Sequence, residues 1–140
     1  MSITLDQPQT DTPISKALYD LFVQEWGQVD PFSNEKEGLP LPTPLIALSD
    51  DDLIGGLAFT RYPAPKTDVM ALWVNALLVK PDFRKQGVSK RLIEMAMQQA
   101  LMLGETRLYV YTHIPYLYES IGWVVEEQNE DHFVLSHSLA

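Results

Sequence analysis

The run RKQGVS, residues 84–89, combines the features of an anion-binding turn. Five of the ten Lys and Arg residues lie between Lys80 and Arg91, although the chain carries nineteen Asp and Glu. A helical pattern begins close to Gly87, and the N-terminus of a helix ordinarily favours acidic side chains. Basic side chains there predict a negatively charged ligand bound by the free N–H groups of the turn. Because the spacing of common nucleotide-binding motifs is missing, these residues leave open both a phosphate-bearing ligand and a solvated basic turn.

The elements around this turn follow a strand, helix, strand pattern. Residues 70–79 (MALWVNALLV) are continuously apolar and predict a strand buried on both faces, with a helix as the alternative. Apolar residues from Val88 to Leu103 recur at helical spacing, and Gly104 follows as a stop signal. Residues 107–112 (RLYVYT) predict a second strand, parallel to the first. The basic turn therefore lies at the start of the crossover helix of a βαβ unit.

The remaining segments alternate between strand and helix patterns, which predicts a mixed α/β fold. In chain order they are a weak strand at 3–5, a helix at 14–26, a proline-rich loop at 29–44, strands at 45–48 and 53–60 joined by an acidic turn, a loop at 61–68, a short helix within 115–122 and a closing hairpin over 123–139.

Composition limits the classes of function. A chain of 140 residues, 46% hydrophobic, predicts one domain over residues 1–140. A net charge of −9 disfavours nucleic acid as a partner and favours a cationic or amine-bearing one. The absence of cysteine excludes disulfides, thiolate metal sites and a Cys nucleophile. No run approaches the roughly 18 apolar residues of a membrane span, and the N-terminus lacks a leader pattern. We therefore expect a cytoplasmic protein that does not bind membranes.

Two linked motifs resemble the GNAT superfamily of acyl-CoA-dependent N-acyltransferases, over most of residues 44–137. The first is the R/Q-x-x-G-x-G/A turn between a strand and a helix, which Arg84 and Gly87 match and from which Ser89 departs at the last position. The second is LYESIGW, residues 117–123, which resembles the family element L/F-Y-E-x-x-G-F/W. The N-terminal region matches the family poorly, so its first strand is expected to be short or missing.

The resemblance implies a GNAT-like fold in which the two central parallel strands splay apart and admit the pantetheine arm of acetyl-CoA. The implied cofactor-binding residues are Leu77, Leu78 and Val79 for the arm, through their backbone groups, and Arg84, Lys85, Gln86, Gly87, Val88 and Ser89 for the pyrophosphate. Tyr118 would give a proton to the departing sulfur, and the N–H of Leu78 or its neighbour would face the carbonyl. The acetyl group would pass directly to a primary amine of a small molecule or peptide. The alternatives are a non-catalytic CoA-binding regulatory or interaction module and a nucleotide-binding protein of another fold.

The group that deprotonates the amine stays open at this point. The candidates are His113, Glu25 and Asp68, and a chain of water molecules could also do the work. Imidazole is the side chain that ordinarily titrates near neutral pH. Asn75 is a polar residue within an apolar strand, so it either lines the acceptor pocket or is a core or edge polar group with its hydrogen bonds satisfied.

No metal is expected, and the oligomeric state is open. His132 and His137 lie five positions apart in the sequence, and an odd offset places them on opposite faces of a predicted strand. The apolar C-terminal run HFVLSHSLA, residues 132–140, is compatible with a homodimer that pairs through its C-terminal strands. It is equally compatible with an edge strand covered by its own chain.

Overall fold

The computed structural model describes residues 2–9, 12–26, 35–36 and 38–139, without the side chains of residues 26, 35 and 36. Its elements in chain order are β1 (Ile3–Asp6), α1 (Pro13–Trp26), β2 (Glu35–Lys36), β3 (Leu39–Pro40), β4 (Leu45–Ser49), β5 (Asp52–Pro63), β6 (Met70–Val79), a 3-10 helix (Pro81–Phe83), α2 (Val88–Met102), β7 (Arg107–Thr112), α3 (Pro115–Glu119), β8 (Val124–Asn129) and β9 (His132–Ser138). The predicted mixed α/β architecture is confirmed.

Within the described residues, seven strands form one mixed sheet in the order β1-β4-β5-β6-β7-β9-β8. The neighbours β6 and β7 are parallel and α2 connects them, as the strand, helix, strand pattern predicts. The other neighbouring strands of this sheet are antiparallel. Strand β9 lies between β7 and β8, so the closing hairpin extends the sheet beyond β7 and brings β9 next to the parallel pair.

The sheet has an apolar cluster on each face. On one face α2 packs through Leu92, Ile93 and Ala96, which are fully buried. On the other face α1 packs through Leu18 and Phe22. A β-carbon at position 56, where the chain has glycine, would collide with Leu18 and with the carbonyl oxygen of Leu45, so the missing side chain lets α1 lie close to the sheet.

Local sequence explains where α1 begins and where α2 ends. Thr12 precedes α1, and its Oγ1 accepts a hydrogen bond from the Ser15 N–H at 3.3 Å, while Pro13 occupies the first turn, where its missing N–H leaves no hydrogen bond unmade. Helix α2 ends in a Schellman motif, because Gly104 has φ +97° and the Glu105 N–H donates to the Ala100 carbonyl at 3.0 Å.

The structure differs from the sequence-based expectation in the first half of the chain. The proline-rich loop contains the small β2–β3 hairpin, while residues 29–34 and 37 of that loop lie outside the described residues. The expected short strand at 3–5 is confirmed, since β1 pairs with β4 from Ile3 to Asp6. The predicted loop at 61–68 begins too early, because β5 continues to Pro63. Arg61, 3% exposed, explains this extension: its Nη1 lies 3.2 Å from Glu105 Oε2.

Candidate active site

The parallel strands β6 and β7 pair over a short stretch and then separate. The paired residues are Leu72, Trp73 and Val74 on β6 with Leu108, Tyr109 and Val110 on β7. Asn75 comes next and is bulged, since its neighbours Val74 and Ala76 pair with consecutive residues of β5. A bulge bends its strand and increases the local twist. A cleft of about 380 Å³ lies between the two strands beyond this point. The splay that the resemblance implies is therefore present.

The bulge also changes which β6 residues face each helix. Before it, Leu72 and Val74 lie in the cluster with α2; after it, Leu77 and Val79 do, while Leu78 joins the cluster with α1. Asn75 itself is exposed and lines the cleft. Of the two interpretations that the sequence left open for Asn75, the structure supports a cavity-lining residue over a satisfied core group.

The ladder between β5 and β6 determines where the backbone groups of residues 77–79 point. The Lys80 N–H donates to the Ile54 carbonyl at 2.7 Å, one residue beyond the Val79–Gly55 pair. In an antiparallel ladder this pattern directs the backbone groups of Leu78 toward β5 and those of its two neighbours away from it. The Val79 carbonyl accordingly accepts a hydrogen bond from Arg84 Nε at 2.9 Å.

The RKQGVS turn leads from the 3-10 helix into α2. Gly87 is the N-cap of α2 with φ +80°, and Lys85 also has a positive φ, +64°. The first intrahelical hydrogen bond runs from the Arg91 N–H to the Gly87 carbonyl at 3.1 Å, and no side chain caps the helix. The N–H groups of residues 87–90 therefore have no acceptor within the helix and converge at its N-terminus.

The basic side chains of this turn are unfavourable to a bare helix N-terminus. Arg84, Lys85 and Lys90 are exposed, and the first turn of α2 contains no acidic residue. Within the described residues no carboxylate forms an ion pair with any of the three. Arg91 is partly used by the protein, since its Nη1 donates to the Ile3 carbonyl at 3.2 Å. The turn thus joins free N–H donors to unpaired cations, an arrangement that an anion would stabilise.

Tyr118 lies at the base of the cleft. It is 2% exposed, lines the cleft from α3 and packs edge-to-face on Trp123, with ring centroids 5.1 Å apart. Burial raises the pKa of Tyr118 above its ordinary value, because the phenolate would lose solvation. The hydroxyl therefore keeps its proton at neutral pH and can donate a hydrogen bond into the cleft.

Two histidines line the same cleft. His113 follows β7 and His132 begins β9, and their rings lie edge-to-face at 5.9 Å. His132 also stacks on Tyr111 at 4.8 Å, and its Nδ1 lies 2.9 Å from Asp131 Oδ1. A carboxylate next to one ring nitrogen orients the imidazole and leaves the other nitrogen to accept a proton.

The structure separates the predicted bases. His113 lines the cleft, whereas Glu25 is exposed on α1 and Asp68 is exposed between β5 and β6, and neither lines the cleft. Sequence reasoning missed His132, which it weighed only as a metal ligand. The one available signal was the Asp-His pair at the start of a predicted strand, and that signal does not reveal which strand lies alongside.

Among the residues that the structure describes, no three His, Cys, Asp or Glu side chains are grouped to hold a metal ion. No helix in the same part of the chain is long and apolar enough to cross a membrane.

Comparison with known proteins agrees with this geometry. The profile of the acetyltransferase (GNAT) family matches residues 13–123. No protein with a curated function matches the sequence significantly. An aminoglycoside 6'-N-acetyltransferase complexed with coenzyme A has a similar structure, with TM-score 0.70 and 17% identity, over 98% of this chain and 97% of that one. PaiA N-acetyltransferase from Thermoplasma acidophilum, in complex with coenzyme A, gives 0.69 and 17% over 99% of both chains.

A longer protein contains the same fold as one part. N-acetylglutamate synthase from Neisseria gonorrhoeae, complexed with coenzyme A and N-acetyl-glutamate, matches with TM-score 0.67 and 16% identity; all of this chain covers 36% of that one. At these identities the solved structures establish the fold, and the family profile covers most of the sequence. Together with the two motifs and the splayed strands, this match shows that the chain belongs to the acetyltransferase (GNAT) family.

Proposed function

We propose that this protein transfers the acetyl group of acetyl-CoA to a primary amine of a small molecule or peptide. The observation that carries the proposal is the cleft between β6 and β7, with Tyr118 at its base and unpaired N–H groups at the N-terminus of α2 beyond the end of β6. A thioester at the base and a pyrophosphate at the helix would use both ends of one site.

The turn has the properties that a pyrophosphate needs. The N–H groups of residues 85–89, of which those of 87–89 are free at the start of α2, would donate to its oxygens, and the side chains of Arg84 and Lys85 would offset its charge. The positive φ of Gly87 orients the first amides of α2 and is available to glycine without strain. Val88 contributes through its backbone, since its side chain is buried in the core. Gln86 and Ser89 complete the turn as backbone donors.

The backbone of β6 would bind the pantetheine arm much as a neighbouring strand would. Leu77 and Val79 direct their backbone groups away from β5, and Arg84 already uses the carbonyl of Val79. We therefore assign the N–H that faces the acetyl carbonyl to Leu77 in preference to Leu78, whose groups belong to the ladder with β5. A donor directed at this oxygen stabilises the negative charge that develops during acyl transfer.

The acetyl group passes directly from the sulfur of CoA to the amine nitrogen. Acetyl-CoA supplies a thioester that is activated toward amines. The amine nitrogen forms a bond to the carbonyl carbon, and the bond from that carbon to sulfur breaks. The ammonium first loses one proton to a base in the cleft, which leaves a neutral amine to attack. Tyr118 hydrogen-bonds the departing sulfur and gives it a proton, and the second proton that the nitrogen loses on becoming an amide returns to the Tyr118 oxygen directly or through water. No acyl-enzyme is needed, and the chain has no Cys to form one.

We assign the role of base to His132. It lines the cleft, and Asp131 lies beside its Nδ1, so Nε2 remains to accept the proton directly or through water. His113 packs edge-to-face against this ring and helps to fix its position. This arrangement needs no contribution from Glu25 or Asp68.

The test measures release of free CoA thiol from acetyl-CoA with a panel of primary amines. We expect amine-dependent release by the parent protein and a fall of about 100- to 10,000-fold in kcat for Tyr118→Phe, the range of a lost acid catalyst. Tyr116→Phe is the control, because its ring is 72% exposed on the same helix. CoA affinity, measured by calorimetry, should be similar in all three proteins.

The alternative functions predict different results. Tight CoA binding without thiol release for any amine would identify a non-catalytic CoA-binding module. Binding of ATP that competes with CoA, again without acetyl transfer, would point to a nucleotide-binding protein. A kcat that is unchanged in Tyr118→Phe would show that Tyr118 is not the proton donor.

A further inference from the structure

A second cavity adjoins the cleft on the face of the sheet opposite α2. Its volume is about 710 Å³, and its lining comes mainly from β5, the loop that follows β5, and β6. Val74, Asn75 and Tyr111 line both this cavity and the cleft. A molecule in the cavity can therefore present one end to the cleft, where the proposed function requires the attacking amine.

Aromatic rings form one wall of this cavity. The indole of Trp73 is held in place, because its Nε1 donates to the Tyr62 carbonyl at 2.9 Å and its ring stacks on Tyr109 at 5.1 Å. Tyr62 meets the indole edge-on at 5.8 Å and is 62% exposed, and Tyr111 is 54% exposed. The indole is only 7% exposed and backs the wall, whereas the two tyrosine rings offer the exposed surface. Exposed aromatic rings attract flat apolar groups, and they also attract an ammonium.

The charge of the lining limits how many ammonium groups the cavity can accept. Its charged residues, among those described, are one acid, Glu127, and one base, Lys66. The excess negative charge of the chain is therefore not concentrated here. A polyamine or an aminoglycoside would bring several cations to a single carboxylate, and each unpaired cation would lose solvation. A monoamine brings one cation only.

We infer that the acceptor is a primary monoamine carried on an aromatic body, of the size of a 2-arylethylamine. The inference rests on the proposed function and assigns its substrate class. The aromatic ring would lie against Tyr62 and Trp73, and the amine would reach the cleft beside Asn75. The cavity volume is within the range of small-ligand sites.

The experiment compares 2-phenylethylamine, spermidine and a lysine-containing peptide in the thiol-release assay. We expect kcat/KM for 2-phenylethylamine to exceed both others by about tenfold or more, since burial of a phenyl group contributes at least that factor. Tyr62→Ala should lower kcat/KM for this amine about 3- to 30-fold, mainly through KM. Tyr116→Ala removes an exposed ring elsewhere and should leave kcat/KM unchanged.

Calorimetric CoA binding keeps two failures apart. If CoA binds and spermidine or the peptide is acetylated in preference to 2-phenylethylamine, the inference is wrong and the proposed function stands. An equal effect of Tyr62→Ala and Tyr116→Ala would also overturn the inference. If CoA binds and no amine promotes thiol release, the proposed function is wrong, and the acceptor assignment is wrong with it.

Discussion

Replacing Gly87 with alanine tests the proposed CoA turn through a single backbone angle. Gly87 has φ +80°, and a β-carbon there would meet no heavy atom within 4 Å. The left-handed conformation costs a residue with a β-carbon about 1–2 kcal/mol. Alanine offsets about 0.4–1 kcal/mol of this by restricting the unfolded chain. The expected loss in the free energy of unfolding is therefore about 0–1.6 kcal/mol, with no contribution from a collision.

The effect on CoA binding should be larger than this loss suggests. A residue that relieves its strain by leaving the left-handed region turns the first amides of α2 away from the ligand. A hydrogen bond to a charged group contributes about 1.5–3 kcal/mol. Loss of one such bond weakens CoA binding about 10- to 100-fold.

Gly104→Ala is the matched control. Gly104 has φ +97° at the other end of α2, and a β-carbon there also meets no heavy atom within 4 Å. Urea unfolding should show similar destabilisation of both variants, whereas calorimetry should show weaker CoA binding for Gly87→Ala alone. CoA binding by Gly87→Ala that equals the parent's, or that falls equally in both variants, would refute the assignment of this turn.

Three further predictions use other residues of the site. His132→Gln should lower kcat/KM for the amine about 100-fold or more and leave CoA binding unchanged, because it removes the proposed base; an unchanged kcat/KM would exclude His132 from this role. Because burial raises the pKa of Tyr118, its neutral form stabilises the fold fully below pH 10 and less above it; between pH 9 and 11 the parent should lose about 1.4 kcal/mol more than Tyr118→Phe in urea unfolding, and equal losses would contradict this. Lys85→Gln should weaken CoA binding and reduce its salt dependence, whereas Lys66→Gln, at a position of similar positive φ, should change neither.

The turn and its helix could be predicted because their causes are local. The apolar period from Val88 to Leu103 predicts α2 and its buried face, and the absence of an acid or cap near Gly87 indicates free amides. Leu101, near the end of the helix, is apolar but 52% exposed. The continuous apolar run over 70–79 likewise matches β6 from end to end.

Extension of β5 shows where local reasoning fails. Proline residues predict a loop from residue 61, yet the strand continues because Arg61 pairs with Glu105 and donates to the Pro40 carbonyl at 2.7 Å. Both partners are distant in sequence. A buried guanidinium needs them, and neither is visible from the neighbours of Arg61.

The sequence by itself determined the order of strands and helices, the basic turn and the position of Tyr118 within its motif, because each depends on residues close along the chain. Only the tertiary structure decided the bulge at Asn75, the contact of His132 with His113 and the aromatic cavity next to the cleft. These features depend on which strands become neighbours and in what register. The register that the strands adopt is the one with the lowest free energy for the whole sheet and its two packed faces, so no short segment encodes it.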